Sequence, residues 1–105
     1  MMELVETNYQ DLKSNELDSL VRVTLVYTPT CGTCQLAKKM IEVLQEAIPN
    51  VVFTKINLNL NESLARDYEI LSIPCLLIHQ NLTLVDKIYK FQSVPYLYEL
   101  IKTYI

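Results

Sequence analysis

Residues 21–58 read VRVTLVYTPTCGTCQLAKKMIEVLQEAIPNVVFTKINL, and the architecture follows from this segment. Val21 to Tyr27 is rich in β-branched residues and is closed by Thr28-Pro29, which predicts a strand buried on both faces. After Cys31-Gly32-Thr33-Cys34 the period changes. Ala37, Met40, Ile41, Leu44, Ala47 and Ile48 recur at i, i+3, i+4 spacing, with Lys38, Lys39, Glu42, Gln45 and Glu46 opposite, so an amphipathic helix is expected up to Pro49. Val51 to Leu58 then alternates apolar and polar as a second strand. A strand, a helix and a strand in this order make a parallel βαβ unit.

Outward from this unit the chain offers smaller elements. Glu3 to Glu6 reads as a short edge strand. Asn8 or Asp11 caps a polar helix running to about Leu20, with Leu12, Leu17 and Leu20 as its apolar positions. Asn59 to Tyr68 reads as a short helix with Asn61 as cap and Glu62 in the first turn. Pro74 breaks the chain, and Cys75 to His79 with Thr83 to Phe91 form a hairpin about Gln80-Asn81. Ser93 caps a last helix with Pro95 near its start and Leu97, Leu100, Ile101 and Tyr104 on its apolar face. The expected fold is α/β, a mixed central sheet flanked by helices, in a single domain over residues 1–105.

Composition narrows the function classes. The chain has 105 residues, half of them apolar, three cysteines, one glycine and a formal net charge of −3. An acidic chain without a Lys/Arg cluster is a poor match to nucleic acid or to an anionic membrane. The longest apolar stretch, Ile70 to Ile78, holds Ser72 and Pro74 and is too short to cross a bilayer. The first ten residues carry Glu3 and Glu6 and no basic run, so no secretory signal is expected. An odd cysteine count argues against a closed disulfide framework and for a reducing, cytoplasmic setting, where cysteines are more often catalytic or metal-binding. No cofactor is expected.

The chemistry points to Cys31 and Cys34. Amide groups at a helix start have no intrahelical partners and carry partial positive charge, which favours a thiolate over a thiol there. A cysteine three residues later shares the helix face and lies within sulfur–sulfur reach. Cys31, outside the first turn, is assigned as nucleophile. Cys34, inside it, is assigned as the resolving thiol. Gly32 is expected to permit a tight entry and leave room for a substrate backbone. Read by itself, C-x-x-C also fits half of a zinc site, but its place between strand and amphipathic helix favours redox chemistry.

These residues, with Lys55-Ile56-Asn57 at the end of the next strand and Tyr68 to Pro74 before the hairpin, resemble the thioredoxin family over nearly the whole chain. The resemblance implies a thioredoxin fold and a thiol–disulfide oxidoreductase that reduces protein disulfides or mixed disulfides. Its partners would be disulfide-containing proteins and an external reductase or thiol donor, and it would act as a monomer. It also implies a cis peptide bond at Ile73-Pro74, facing the C-x-x-C, with the Ile73 backbone pairing an extended substrate segment. Departures are plain. Leu25 stands where the family has a buried aspartate, Thr30 and Tyr27 where tryptophans are common, and Thr33 where the motif has proline. Lys55, without that aspartate, is expected to reach solvent, and Lys38 and Lys39 to lie on a solvated helix face.

Tyr27-Thr28-Pro29-Thr30-Cys31 also looks like a glutaredoxin, which would remove small-thiol adducts. The glycine-rich glutathione turn of that group is missing, however. Cys75 directly follows Pro74. Its plain reading is a small buried hydrophobe. The sharper ones are a third redox thiol, or a ligand with Cys31 and Cys34 for a metal or iron–sulfur cluster. On a strand, Cys75 and His79 stand about 13 Å apart and do not share one ion.

Overall fold

A computed structural model describes residues 3–14 and 20–105. Five strands form one mixed sheet: β1 (Val5–Thr7), β2 (Val21–Tyr27), β3 (Val51–Asn57), β4 (Cys75–Gln80) and β5 (Thr83–Ile88), in the spatial order β1-β3-β2-β4-β5. β1 and β2 run parallel to β3, while β4 is antiparallel to both β2 and β5. The helices are α1 (Tyr9–Lys13), α2 (Gly32–Ala47), α3 (Glu62–Asp67) and α4 (Val94–Lys102).

Alternation along the strands divides the interior into two layers. Val23, Leu25, Phe53, Leu76 and Ile78 pack with Ala37, Ile41 and Leu44 of α2 and with Leu97 and Ile101 of α4. Val26, Ile56, Cys75 and Leu77 pack on the other side with Leu12 of α1 and Leu64 of α3. β2 is buried on both faces as expected, and the buried hydroxyl of Thr24 meets Thr54 Oγ1 at 3.1 Å.

Several expectations need correction. α1 stops at Lys13: the Ser14 amide still donates to Gln10 O, but Ser14 itself is extended. The carbonyl of Leu12, which a longer helix would use, accepts a 2.8 Å hydrogen bond from Arg22 instead. Leu17 lies outside the described residues. Leu58–Leu60 is a separate 3-10 turn, so α3 begins only at Glu62. Asn61 stands at its N-cap without capping it. The Asn61 amide donates to Asn57 O at 2.8 Å and its Oδ1 accepts from the Tyr9 amide at 3.0 Å, so the side chain ties α1 to the end of β3. β5 ends at Ile88 rather than Phe91, and Ala47 is exposed, outside the apolar face of α2. In the hairpin, Asn81 takes the positive φ (56°) that glycine usually supplies. Ser93 caps α4 as expected, accepting from the Tyr96 amide at 3.2 Å.

Candidate functional site

β2 ends at Tyr27, and Thr28-Pro29-Thr30 carries the chain to α2, with the Cys31 amide closing onto Thr28 O at 3.2 Å. Cys31 is the N-cap of α2, in the extended conformation a cap requires. Its sulfur takes the place of the usual cap oxygen. The Cys34 amide donates to Cys31 Sγ at 3.2 Å, and Thr33 Oγ1 lies 3.4 Å from the same sulfur. The Thr33 contact is not evident from sequence, since a proline at this position would offer no hydroxyl.

Cys31 and Cys34 are joined as a disulfide, with their Cα atoms 5.2 Å apart. Their exposure differs. Cys31 is half-buried, while Cys34 is 2% exposed. The pair therefore presents one sulfur to the outside and keeps the other inside. The expected need for glycine at a tight helix entry is not met at Gly32. A Cβ built there would meet nothing within 4 Å and no positive φ is needed, so tight entry does not depend on glycine.

Ile73-Pro74 is cis, and it directly precedes β4. The last rung of the β2–β4 ladder pairs Val26 with Cys75, which puts Pro74 at the end of the sheet where β2 runs into the C-x-x-C loop. Cys75 itself is fully buried on the α1/α3 side, among Val26, Ile56 and Leu77. Burial pushes its thiol up to about 11. Among the described residues, no group of three His, Cys, Asp or Glu side chains is placed to hold a metal ion, so Cys75 is not assembled with Cys31 and Cys34. The plain reading of Cys75 as a buried small hydrophobe fits its place.

The lysines correct the sequence reading. Lys55 does not simply extend to solvent: its Nζ sits 5.6 Å from the centroid of the Tyr27 ring. Lys38 is half-buried, 3.9 Å from Glu3. Both line a cavity that reaches Cys34, as do Lys39, Tyr27 and Leu25. Tyr27 is fixed by a 2.6 Å hydrogen bond to Glu6, which also accepts from the Asn57 amide at 3.0 Å. Burial, then Glu6, raises its phenol to about 12, so it stays protonated.

His79 lies on strand β4, as the strand reading required, and is completely buried. Its Nε2 is 3.2 Å from Tyr68 OH, and its strand partner is Arg22. Burial, and secondarily Arg22, lowers the imidazole to about 4.

The chain has known relatives in sequence and in fold. The chain is 45% identical over 96 residues to the thioredoxin-like protein YusE of Bacillus subtilis (strain 168), covering 89% of this chain and 91% of that protein. It is 29% identical over 94 residues to a thioredoxin of Chlamydia pneumoniae, covering 86% and 92%. A mutant thioredoxin from Halobacterium salinarum NRC-1 superposes with a TM-score of 0.85 at 25% identity, over 97% of this chain and 90% of that one. The oxidised mitochondrial thioredoxin 3 of Saccharomyces cerevisiae has the same fold, with a TM-score of 0.78 at 22% identity over 95% and 94%. The thioredoxin family model matches residues 1–103. A helix-capping cysteine disulfide-bonded to the buried cysteine three residues on, in this sheet and with these relatives, makes the chain a thiol–disulfide oxidoreductase that belongs to the thioredoxin family.

Proposed function

We propose that the chain reduces disulfide bonds in proteins. One observation carries this reading: the accessible sulfur of the pair is the one that caps α2. Reduced Cys31 there receives the Cys34 amide and the positive end of a 16-residue helix, and both favour its thiolate. The thiolate attacks a sulfur of the substrate disulfide and forms a mixed disulfide, releasing the other substrate sulfur. Cys34 then attacks Cys31 Sγ, closes the Cys31–Cys34 bond and frees the second substrate sulfur. An external reductase or thiol donor returns the pair to the dithiol. The Ile73 backbone beside Pro74 pairs with an extended substrate segment. The partners are disulfide-containing proteins, and the setting is a reducing cytoplasm in which the chain acts as a monomer.

Reduction of an insulin-type disulfide with a dithiol donor tests the reading. Turnover should fall to background in Cys31→Ser. A Cys34→Ser variant incubated in cell extract should accumulate a protein attached through Cys31. Wild-type turnover no faster than that of Cys31→Ser would overturn the proposal. Attachment of only small thiols would redirect it to removal of small-thiol adducts.

A further inference from the structure

The chain from Tyr68 to Pro74 connects α3 to β4 and delivers Ile73 to the edge of the sheet where the C-x-x-C lies. It begins with a helix ending that usually calls for glycine. The Ile70 amide donates to Ala65 O at 2.9 Å and the Glu69 amide to Arg66 O at 3.3 Å, the paired bonds of a helix closed by a left-handed residue. That residue is Glu69, at a φ of 52°. A side chain is disfavoured in this conformation, so the turn gains from support outside the helix.

The support comes from β5. Lys87 is the register partner of Leu77 and therefore points to the α1/α3 face. Its ammonium donates to Tyr68 O at 2.9 Å and to Glu69 O at 3.1 Å, so one cation ties down two carbonyls at the end of α3. Tyr89, two residues on, packs on the same face, and its hydroxyl accepts from the Leu71 amide at 3.2 Å. The same hydroxyl is hydrogen-bonded to the Cys75 thiol, on the far side of Pro74. The Tyr68 side chain is fixed as well: its hydroxyl lies 3.2 Å from His79 Nε2 on β4, and its ring packs edge-on against Tyr9. Leu71 and Ser72 are exposed and belong to no helix or strand, so the path to Ile73 depends on these side chains. We infer that Lys87 is a positioning residue for substrate binding: by fixing Tyr68 and Glu69, while Tyr89 holds Leu71, it sets the course of the loop that offers the Ile73 backbone to an extended substrate segment. This role deepens the proposed function and rests on Ile73 meeting substrate in that way. The thiol chemistry stays with Cys31 and Cys34.

A small aromatic disulfide can reach Cys31 without pairing along Ile73, whereas a protein disulfide uses both. Comparing an insulin-type protein disulfide with such a small disulfide therefore separates the loop from the chemistry. In Lys87→Met the KM for the protein disulfide should rise about three- to tenfold with kcat within about twofold, as expected when binding common to the ground and transition states is lost. The rate with the small disulfide should change by less than about twofold. The titration midpoint of Cys31 should stay in place. Tyr89→Phe, which removes only the hydroxyl on the Leu71 amide, should raise the same KM about two- to fourfold. It carries the test alone if Lys87→Met does not fold. An unchanged KM for the protein disulfide in the folded variant, or an equal loss with both substrates, overturns the inference, since a merely structural role would not tell the substrates apart. Failure of the functional reading shows separately, as wild-type turnover no faster than that of Cys31→Ser.

Discussion

Cys34 and Cys75 are both almost wholly removed from solvent, at 2% and 0% exposure. The same side chain at the same depth nevertheless has two different chemistries. Cys34 lies in the first turn of α2, borders a lysine-lined cavity and is bonded to Cys31. Cys75 begins β4, packs among aliphatic side chains on the other layer of the sheet, and its thiol is held protonated to about 11. Burial therefore does not decide whether a cysteine reacts. The setting does: Cys34 lies in the first turn of a helix, bonded to an accessible sulfur beside a lysine-lined cavity, whereas Cys75 is walled into the α1/α3 layer, where desolvation outweighs a hydrogen bond with Tyr89 and the charge of Lys87.

The largest effect that can break this contrast is on turnover. Cys31→Ser should lose it entirely, while Cys75→Ala should retain it within about twofold and cost roughly 1 kcal/mol of stability as a small buried truncation. Loss of turnover in a stably folded Cys75→Ala would give Cys75 a redox role and erase the distinction. Alkylation of the reduced native protein near neutral pH offers a second check. Cys31 should be modified first and Cys75 only on unfolding, as mass mapping would show. Early labelling of Cys75 would contradict its placement.

The α1/α3 layer also makes a prediction about pH. His79 stays neutral in the folded protein down to about 4, whereas an unfolded imidazole protonates near 6.5. The unfolded chain thus binds the extra proton between these values. Stability from the neutral ring is fully present above pH 6.5 and declines as pH falls towards 4, by about 3 kcal/mol over the window. Urea unfolding of wild type and His79→Gln at pH 7 and pH 4.5 measures it, and the wild type should show the steeper loss. Parallel losses would remove His79 from the explanation. The smallest effect is expected at Gly32. Because a Cβ there meets open space, Gly32→Ala should leave the fold unchanged or slightly stabilised by up to about 1 kcal/mol, gained from helix propensity. A marked loss of stability would show a constraint at the helix entry.

Legibility in the sequence followed the range of the forces involved. Val21–Tyr27, the helix after the C-x-x-C and the strand from Val51 are stated by local periodicity, and they appear within a residue or two of their expected bounds. The pairing of Cys31 with Cys34 is equally local, since both sit on one helical turn. The rest depended on partners distant in sequence. The length of α1 is limited by Arg22, ten residues beyond Leu12. Asn61 gives up its cap for the Tyr9 amide, 52 residues away. Lys55 faces the cavity because β3 aligns it with Leu25, and no pattern within β3 contains that register. Lys38 and Lys39 occupy the polar face of α2 as expected, but that face borders a cavity rather than open water alone.

The central claim is that the cap of α2 holds sulfur 31 ionised. Titration of the Cys31 thiol in the reduced protein, followed by thiolate absorbance in a Cys34→Ala background, tests it most directly. The account predicts a midpoint below about 7.5, well under that of an unperturbed cysteine. A midpoint at or above about 8.5 would contradict it, since the helix start would then confer nothing that a free peptide thiol lacks.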